Sequence, residues 1–311
     1  MYSNVIRSDE YKQQLLDFIR REYGIDADGI YPAKRGFYGE TWRLEATDRK
    51  YFAKLVYASA HKGIYENSFP VIDRMNHYGI DFISQIVKTV DNKLFMRYNN
   101  AILGVFDWID GENKQDENTK IIEYQLLAKI YTVPVDGLFF PREDFSAKSA
   151  DMFFRQWESL PPDATFKTIL EPHRIKIEHR AERLRLFSER CGNNDSPRFI
   201  THGDAGGNFI ASGDRDYIVD WDNPILAPPE RDAWFCMSWD WAMDAFHNAL
   251  RQNGIDYTLQ QNRLAYYCYH MFFFYLNAYL DRFAHTEVIE GIEEYMNGWI
   301  EESFQYADKM P

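Results

Sequence analysis

Cysteine is scarce: the 311 residues include three, Cys191, Cys236 and Cys268, widely spaced and never in a C-x-x-C pair. That excludes a disulfide framework and a zinc site of paired thiolates, and reads as reduced thiols in a cytoplasmic protein. Long apolar runs are missing too. The most apolar late stretch, Met271-Phe272-Phe273-Phe274-Tyr275-Leu276, is too short to span a bilayer, and the start, Met1 to Arg7, has no apolar signal core. Basic charge is in deficit, with 35 Lys and Arg against 48 Asp and Glu and a net charge of −13. Nucleic acids and anionic membranes demand a basic footprint, so neither is an expected partner. A small cationic molecule suits this balance, as does an ordinary solvated acidic surface. Apolar residues make up 45% and aromatics 17%, enough for a full core and for flat pocket walls. The length leaves room for about two domains at ~150 residues each.

The pattern changes once along the chain. Residues 8–23 read as an amphipathic helix, with Ser8 as N-cap, an apolar face of Tyr11, Leu15, Phe18, Ile19 and Tyr23, and Gly24 as its stop. From 30 to 109 the period is two, interrupted by a helical stretch at 64–78, which predicts a mostly antiparallel sheet with one internal helix. After the polar connector Asp110-Gly111-Glu112-Asn113, helices are expected at 117–132, 147–158, 173–191, 230–250, 258–283 and 286–307, with a short β segment at 198–221. The arginines of 174–190 alternate with glutamates and read as an ion-laced helix face. The expected architecture is α+β and two-lobed, with a small β-rich lobe over 1–110 and a larger helical lobe over 111–311. The crevice between lobes is the default binding site.

One segment carries chemistry. The strand Phe199-Ile200 delivers Thr201-His202-Gly203-Asp204-Ala205-Gly206-Gly207-Asn208, and a second strand ends in Tyr217-Ile218-Val219-Asp220-Trp221-Asp222. A carboxylate able to accept a hydroxyl proton thus lies near an amide and a carboxylate able to hold Mg²⁺, the grouping phosphoryl transfer needs. In the kinase pattern the base and the amide are five residues apart, whereas Asp204 and Asn208 are four apart. Gly206-Gly207 supplies backbone freedom to absorb the difference.

Here the chain resembles the aminoglycoside phosphotransferase family, a branch of the protein-kinase-like fold. The resemblance is carried by His202-Gly203-Asp204 with Asn208, by Ile218-Val219-Asp220-Trp221-Asp222, by the run from Asp222 to Asp232, and by Tyr51-Phe52-Ala53-Lys54-Leu55. It implies ATP or GTP and Mg²⁺ as cofactors, with Asp204 as catalytic aspartate and Asn208 and Asp220 as metal ligands. Lys54 would touch the α- and β-phosphates with Glu66 as its ion-pair partner, and the backbone at Phe106-Asp107-Trp108 would pair with adenine. The loop over the phosphates would be residues 34–39, including Arg35 and Gly36, although this stretch is not a G-x-G-x-x-G.

Aromatic and acidic groups downstream, Trp234, Trp239 and Asp240, together with Asp222, are candidates for contact with a cationic substrate, while core packing explains the tryptophans equally well. The aromatics from Tyr266 to Tyr275 are read as core. Three functions fit. The first is O-phosphorylation of a small hydroxylated cation, such as an aminoglycoside or aminocyclitol antibiotic like spectinomycin, as part of antibiotic resistance. The second is a metabolic kinase for choline, an amino alcohol or a sugar. The third is a nucleotide-binding regulator without turnover.

Overall fold

The computed structural model describes residues 7–33, 39–192, 196–213, 215–283, 291–298 and 300–311. The chain divides into two compact units, one built from the chain up to Pro141 together with His202–Ile225, the other from Arg142–Thr201 and Leu226–Pro311. A boundary at 110/111 follows secondary-structure content. Packing groups the chain differently, and it assigns the segment bearing Asp204, Asn208 and Asp220 to the unit that holds the sheet.

In the first unit α1 (Asp9–Tyr23) starts as expected, with the Ser8 hydroxyl accepting from the Tyr11 amide at 3.2 Å, and it stops at Gly24 in the left-handed region at φ 67°. Five antiparallel strands follow: β1 (Ala27–Pro32), β2 (Gly39–Ala46), β3 (Lys50–Val56), β4 (Met96–Tyr98) and β5 (Ala101–Asp107), in the order β1-β2-β3-β5-β4. Side chains alternate across this sheet. Trp42, Leu44, Ala53, Leu55, Leu103 and Val105 share a buried cluster with Leu15, Ile19 and Tyr23 of α1. Lys54 sits on the opposite face, in register with Thr41 of β2 and Gly104 of β5.

That second face is covered by α2 (Ser59–His77), which contains Pro70 and begins earlier than the predicted 64–78. A Cβ on Gly104 would lie 2.6 Å from both the Tyr65 hydroxyl and Phe69 Cζ, so only glycine lets α2 sit this close. The unit is completed by α3 (Glu117–Ile130), opened by an Asp116/Thr119 capping box, and by the hairpin of Phe209–Ser212 with Arg215–Ile218.

The second unit is helical around a core that includes Phe153, Trp157, Phe187, Tyr266, Tyr267, Tyr269, Phe272 and Phe273, with Phe274 and Tyr275 half-buried against it. Its helices at Lys148–Ser159, Arg174–Cys191 and Gln261–Phe283 match the expected spans closely. Two expectations are corrected. The single helix over 230–250 is three pieces, Glu230–Ala233, a 3₁₀ stretch Trp234–Ser238, and Asp240–Gln252. The break is at Trp239, extended at φ −141° and ψ 132°, whose ring stacks on Trp241 at 5.6 Å and meets Phe235 at 4.8 Å. Aromatic packing there overrides helix propensity. The helix over 286–307 is also divided, into Ile292–Asn297 and Ile300–Ala307, and its predicted start lies outside the described residues.

The arginine-rich helix carries surface pairs as read, such as Arg174 with Glu171 and Arg185 with Asp151. Arg180 departs from that reading: it is buried, paired with Glu301 at 2.8 Å and set over the rings of Phe272 and Phe304. Among the described residues no helix is long and apolar enough to cross a membrane.

Candidate active site

The first unit contains a cavity of about 400 Å³. Thr41, Phe52, Lys54 and Phe106 reach it from the sheet, Ile72 from α2, and Asn208, Val219, Asp220 and Asp222 from the segment after His202. Residues far apart in sequence therefore converge at one opening.

Lys54 is only 6% exposed. Its Nζ donates to Asp220 Oδ1 at 2.5 Å and to Asp222 Oδ2, and it lies 5.8 Å from the centre of the Tyr65 ring. Burial works against the ammonium, but the two carboxylates overcome it and hold its pKa above the ordinary lysine value. Burial likewise opposes charge on Asp220, and Lys54 nonetheless holds that carboxyl below the usual range. Burial and the neighbouring Asp220 push Asp222 up, to about 7. Two acids thus compete for one base. Asp220 also adopts φ 64°, a left-handed backbone that side chains other than glycine seldom take. Such a conformation costs about 1–3 kcal/mol and concentrates at functional sites.

His202 braces the loop. Its Nδ1 accepts from the Asp204 amide at 3.2 Å while its Nε2 lies 2.8 Å from the Val219 carbonyl, which assigns the tautomer with hydrogen on Nε2. The ring meets Trp221 edge-on at 4.6 Å, and the Trp221 indole donates to the Ile218 carbonyl at 3.0 Å. Gly203, at φ 86°, turns the chain into Asp204. A 3₁₀ turn over Gly206–Asn208 then brings the Asn208 side chain back, its Nδ2 donating to the Asp204 carbonyl at 2.7 Å. That bond directs Oδ1 away from the carbonyl. The loop that is one residue short thus ties the Asn208 side chain to the Asp204 backbone.

Of the predicted site residues, the structure gathers Lys54, Phe106, Asp107, Trp108, Asn208, Asp220 and Asp222 at one cavity, whose lining includes neither Asp204 nor Glu66. Glu66, expected beside Lys54, instead pairs with Arg97. The reason is register on α2: Tyr65, one residue earlier, is the side chain turned toward Lys54 and Gly104. Phe106, Asp107 and Trp108 line the cavity, but the amides of Asp107 and Trp108 already donate to the carbonyls of Gln85 at 3.0 Å and Lys50 at 3.3 Å. What this stretch presents is an aromatic wall, with Phe52 6.4 Å from both Phe106 and Trp108. Arg35 and Gly36 lie outside the described residues. Trp234, Trp239 and Asp240 belong to the second unit, where Trp234 is 6% exposed and part of the core. Sequence reasoning missed Asn113, which lines the cavity and whose Nδ2 donates to the Gly207 carbonyl at 2.7 Å. No spacing rule marks an asparagine in a polar connector.

No protein-family model and no curated protein sequence matches the chain. Solved structures do. The complex of spectinomycin phosphotransferase APH(9)-Ia with ADP and spectinomycin aligns at a TM-score of 0.74 and 20% identity, covering 96% of this chain and 98% of that one. The amicoumacin kinase hAmiN in complex with AMP-PNP, Ca²⁺ and Ami aligns at 0.65 and 13% identity over 98% and 95%. Macrolide 2'-phosphotransferase type I aligns at 0.60 and 15% over 94% and 96%. The chain therefore has the kinase-like α+β fold of the antibiotic phosphotransferases. The AMP-bound complex of spectinomycin phosphotransferase, at 0.75 and 19% identity, covers 98% of this chain and 99% of that one, so the likeness runs end to end.

The donor set can be tested against a magnesium ion. Carboxylate oxygens of Asp220 and the amide oxygen of Asn208 are hard ligands, the kind Mg²⁺ takes in small number beside substrate phosphates. The Asp220 side chain is 47% exposed and opens on the cavity. These residues fit the ion.

Proposed function

We propose that the protein is a nucleotide-dependent small-molecule kinase that transfers a phosphoryl group to an alcohol. The observation that carries this reading is the convergence of Lys54, Asp220, Asp222 and Asn208 on one cavity with an aromatic wall. Proteins of the same fold bind ADP, AMP or AMP-PNP, as their complexes state. A soluble cytoplasmic location agrees with the sparse reduced cysteines.

In this reading the nucleobase rests against the wall of Phe52, Phe106 and Trp108. With two backbone donors of that edge already engaged, we assign the contact with the base to the next cavity-lining residue along it, Ile109. Lys54 holds the α- and β-phosphates, and Asn208 and Asp220 hold Mg²⁺, with Asp222 as their neighbour. The ion, when bound, neutralises charge on the phosphates and aligns the terminal one. Asp204 accepts a hydrogen bond from the acceptor hydroxyl. A carboxylate is too weak a base to strip an alcohol in advance, so Asp204 orients the nucleophile and takes the proton late, as a loose transition state permits.

The acceptor we favour is a cationic aminoglycoside or aminocyclitol antibiotic, because the chain is acidic and complexes of the same fold contain spectinomycin and gentamicin. A panel of hydroxylated cations with Mg-ATP or Mg-GTP, read as nucleoside diphosphate release, tests this. Turnover stimulated by an antibiotic is the expected result. Stimulation only by choline, amino alcohols or sugars would move the assignment to a metabolic kinase, and tight nucleotide binding with no turnover would make the protein a regulator.

A further inference from the structure

The short catalytic loop raises a question that the site alone does not answer: what fixes Asn208 when one residue is missing between it and Asp204. The connector 111–120 supplies an answer. Asn113 Nδ2 donates to the Gly207 carbonyl at 2.7 Å and Gln115 Nε2 to the Gly206 carbonyl at 2.8 Å. Gln115 also donates to Asn113 Oδ1 at 3.3 Å, so the two amides brace one another. Beyond the loop, Glu112 and Ala211 exchange a pair of backbone bonds at 3.0 and 2.9 Å. Gly111 permits that approach, since a Cβ there would lie 2.5 Å from the Ala211 carbonyl oxygen. On its other side Gly206 abuts Lys120, whose Nζ would be 2.7 Å from a Cβ.

The carbonyls of Gly206 and Gly207 belong to a 3₁₀ turn too short to satisfy them internally. Two side-chain amides from about ninety residues upstream do so instead. We propose that Asn113 and Gln115 are positioning residues that clamp the shortened loop and thereby aim Asn208 Oδ1 at the metal position. They act through the turn and not by touching the reacting atoms. This rests on the reading of Asn208 and Asp220 as metal ligands.

The test uses the full chain and its variants N113A, Q115A and the double variant, with K114A as control, since Lys114 lies exposed between the two. Mn²⁺ binding in the presence of ADP is titrated by electron paramagnetic resonance, and ADP binding in EDTA is measured separately. The expected result is Mn²⁺ affinity weakened about tenfold in each single variant and more in the double variant. ADP affinity in EDTA stays within twofold in Q115A, whose side chain is not part of the cavity lining, and K114A matches wild type. Unchanged Mn²⁺ affinity, or an equal loss of ADP affinity in EDTA in Q115A, would overturn the clamp. A wild type that binds Mn²⁺ and ADP yet phosphorylates no acceptor would sink the proposed function while the metal titration still decides on the clamp.

Discussion

Two clusters of charge, one in each unit, use the same chemistry to different ends. In the second unit Glu230 and Arg263 are 0% and 4% exposed in their side chains, bridged by the Tyr257 hydroxyl, which donates to Glu230 at 2.9 Å and accepts from Arg263 at 2.5 Å. The Gln260 amide adds a bond to Glu230 at 2.6 Å. One acid meets one base, and solvent is shut out. In the first unit Lys54 meets two carboxylates, and these face a cavity with 47% and 26% of their side chains exposed. A balanced, sealed cluster holds structure together. A cluster with surplus acid, an accessible opening and a left-handed backbone at Asp220 is arranged to take up something more.

The comparison breaks most sharply at Asp204. Asp204→Ala is expected to reduce phosphoryl transfer by about 10³-fold or more while nucleotide binding persists, checked by steady-state kinetics beside a nucleotide titration. Wild-type turnover in that variant would remove Asp204 from the catalytic assignment. Next in size is the sealed pair. Glu230→Gln leaves Arg263 buried without its counter-charge and is expected to lower stability by about 3–5 kcal/mol in urea unfolding.

A smaller effect should separate the clusters by pH. Asp222 has a folded pKa of about 7, above its unfolded value. A raised acid contributes stability that is complete below the unfolded pKa and lost as pH rises through the folded one, so this group costs the protein stability between pH ~4 and 7. Lys54→Met removes the attraction that offsets this cost. The variant should be less stable by on the order of 2 kcal/mol at pH 8, a figure discounted for solvent at Asp220. It should regain much of that at pH 5, and urea midpoints with the same pH slope as wild type would contradict the description of the cluster. Last comes Glu66→Gln. Because Glu66 pairs with the exposed Arg97 and not with Lys54, turnover should stay within about threefold of wild type, the scale of a surface pair. A hundredfold loss would return Glu66 to the lysine.

Much of this was legible from local pattern. Ser8 and Gly24 bound α1 because capping is decided within one turn. The alternation at Trp42-Arg43-Leu44 and Phe52-Ala53-Lys54-Leu55 states which side chains share a sheet face, and so put Lys54 opposite the α1 core. His202-Gly203-Asp204 with Asn208 and Asp220 stood out because their types and order match a chemical requirement. Register between distant elements was not legible. Whether Tyr65 or Glu66 turns toward Lys54 depends on how α2 seats on Gly104, and the split of the helix after Glu230 depends on which rings Trp239 finds.

Local periodicity, capping and residue type, read along the chain, were enough for the α+β class, the segment from His202 to Asp222 and the lysine strand, since each is set by neighbours within a few residues. The two carboxylates on Lys54, the diversion of Glu66 to Arg97 and the amides that fasten Gly206 and Gly207 came only with the folded chain. They join positions about 30 to 170 residues apart, and no local rule of spacing reaches that far.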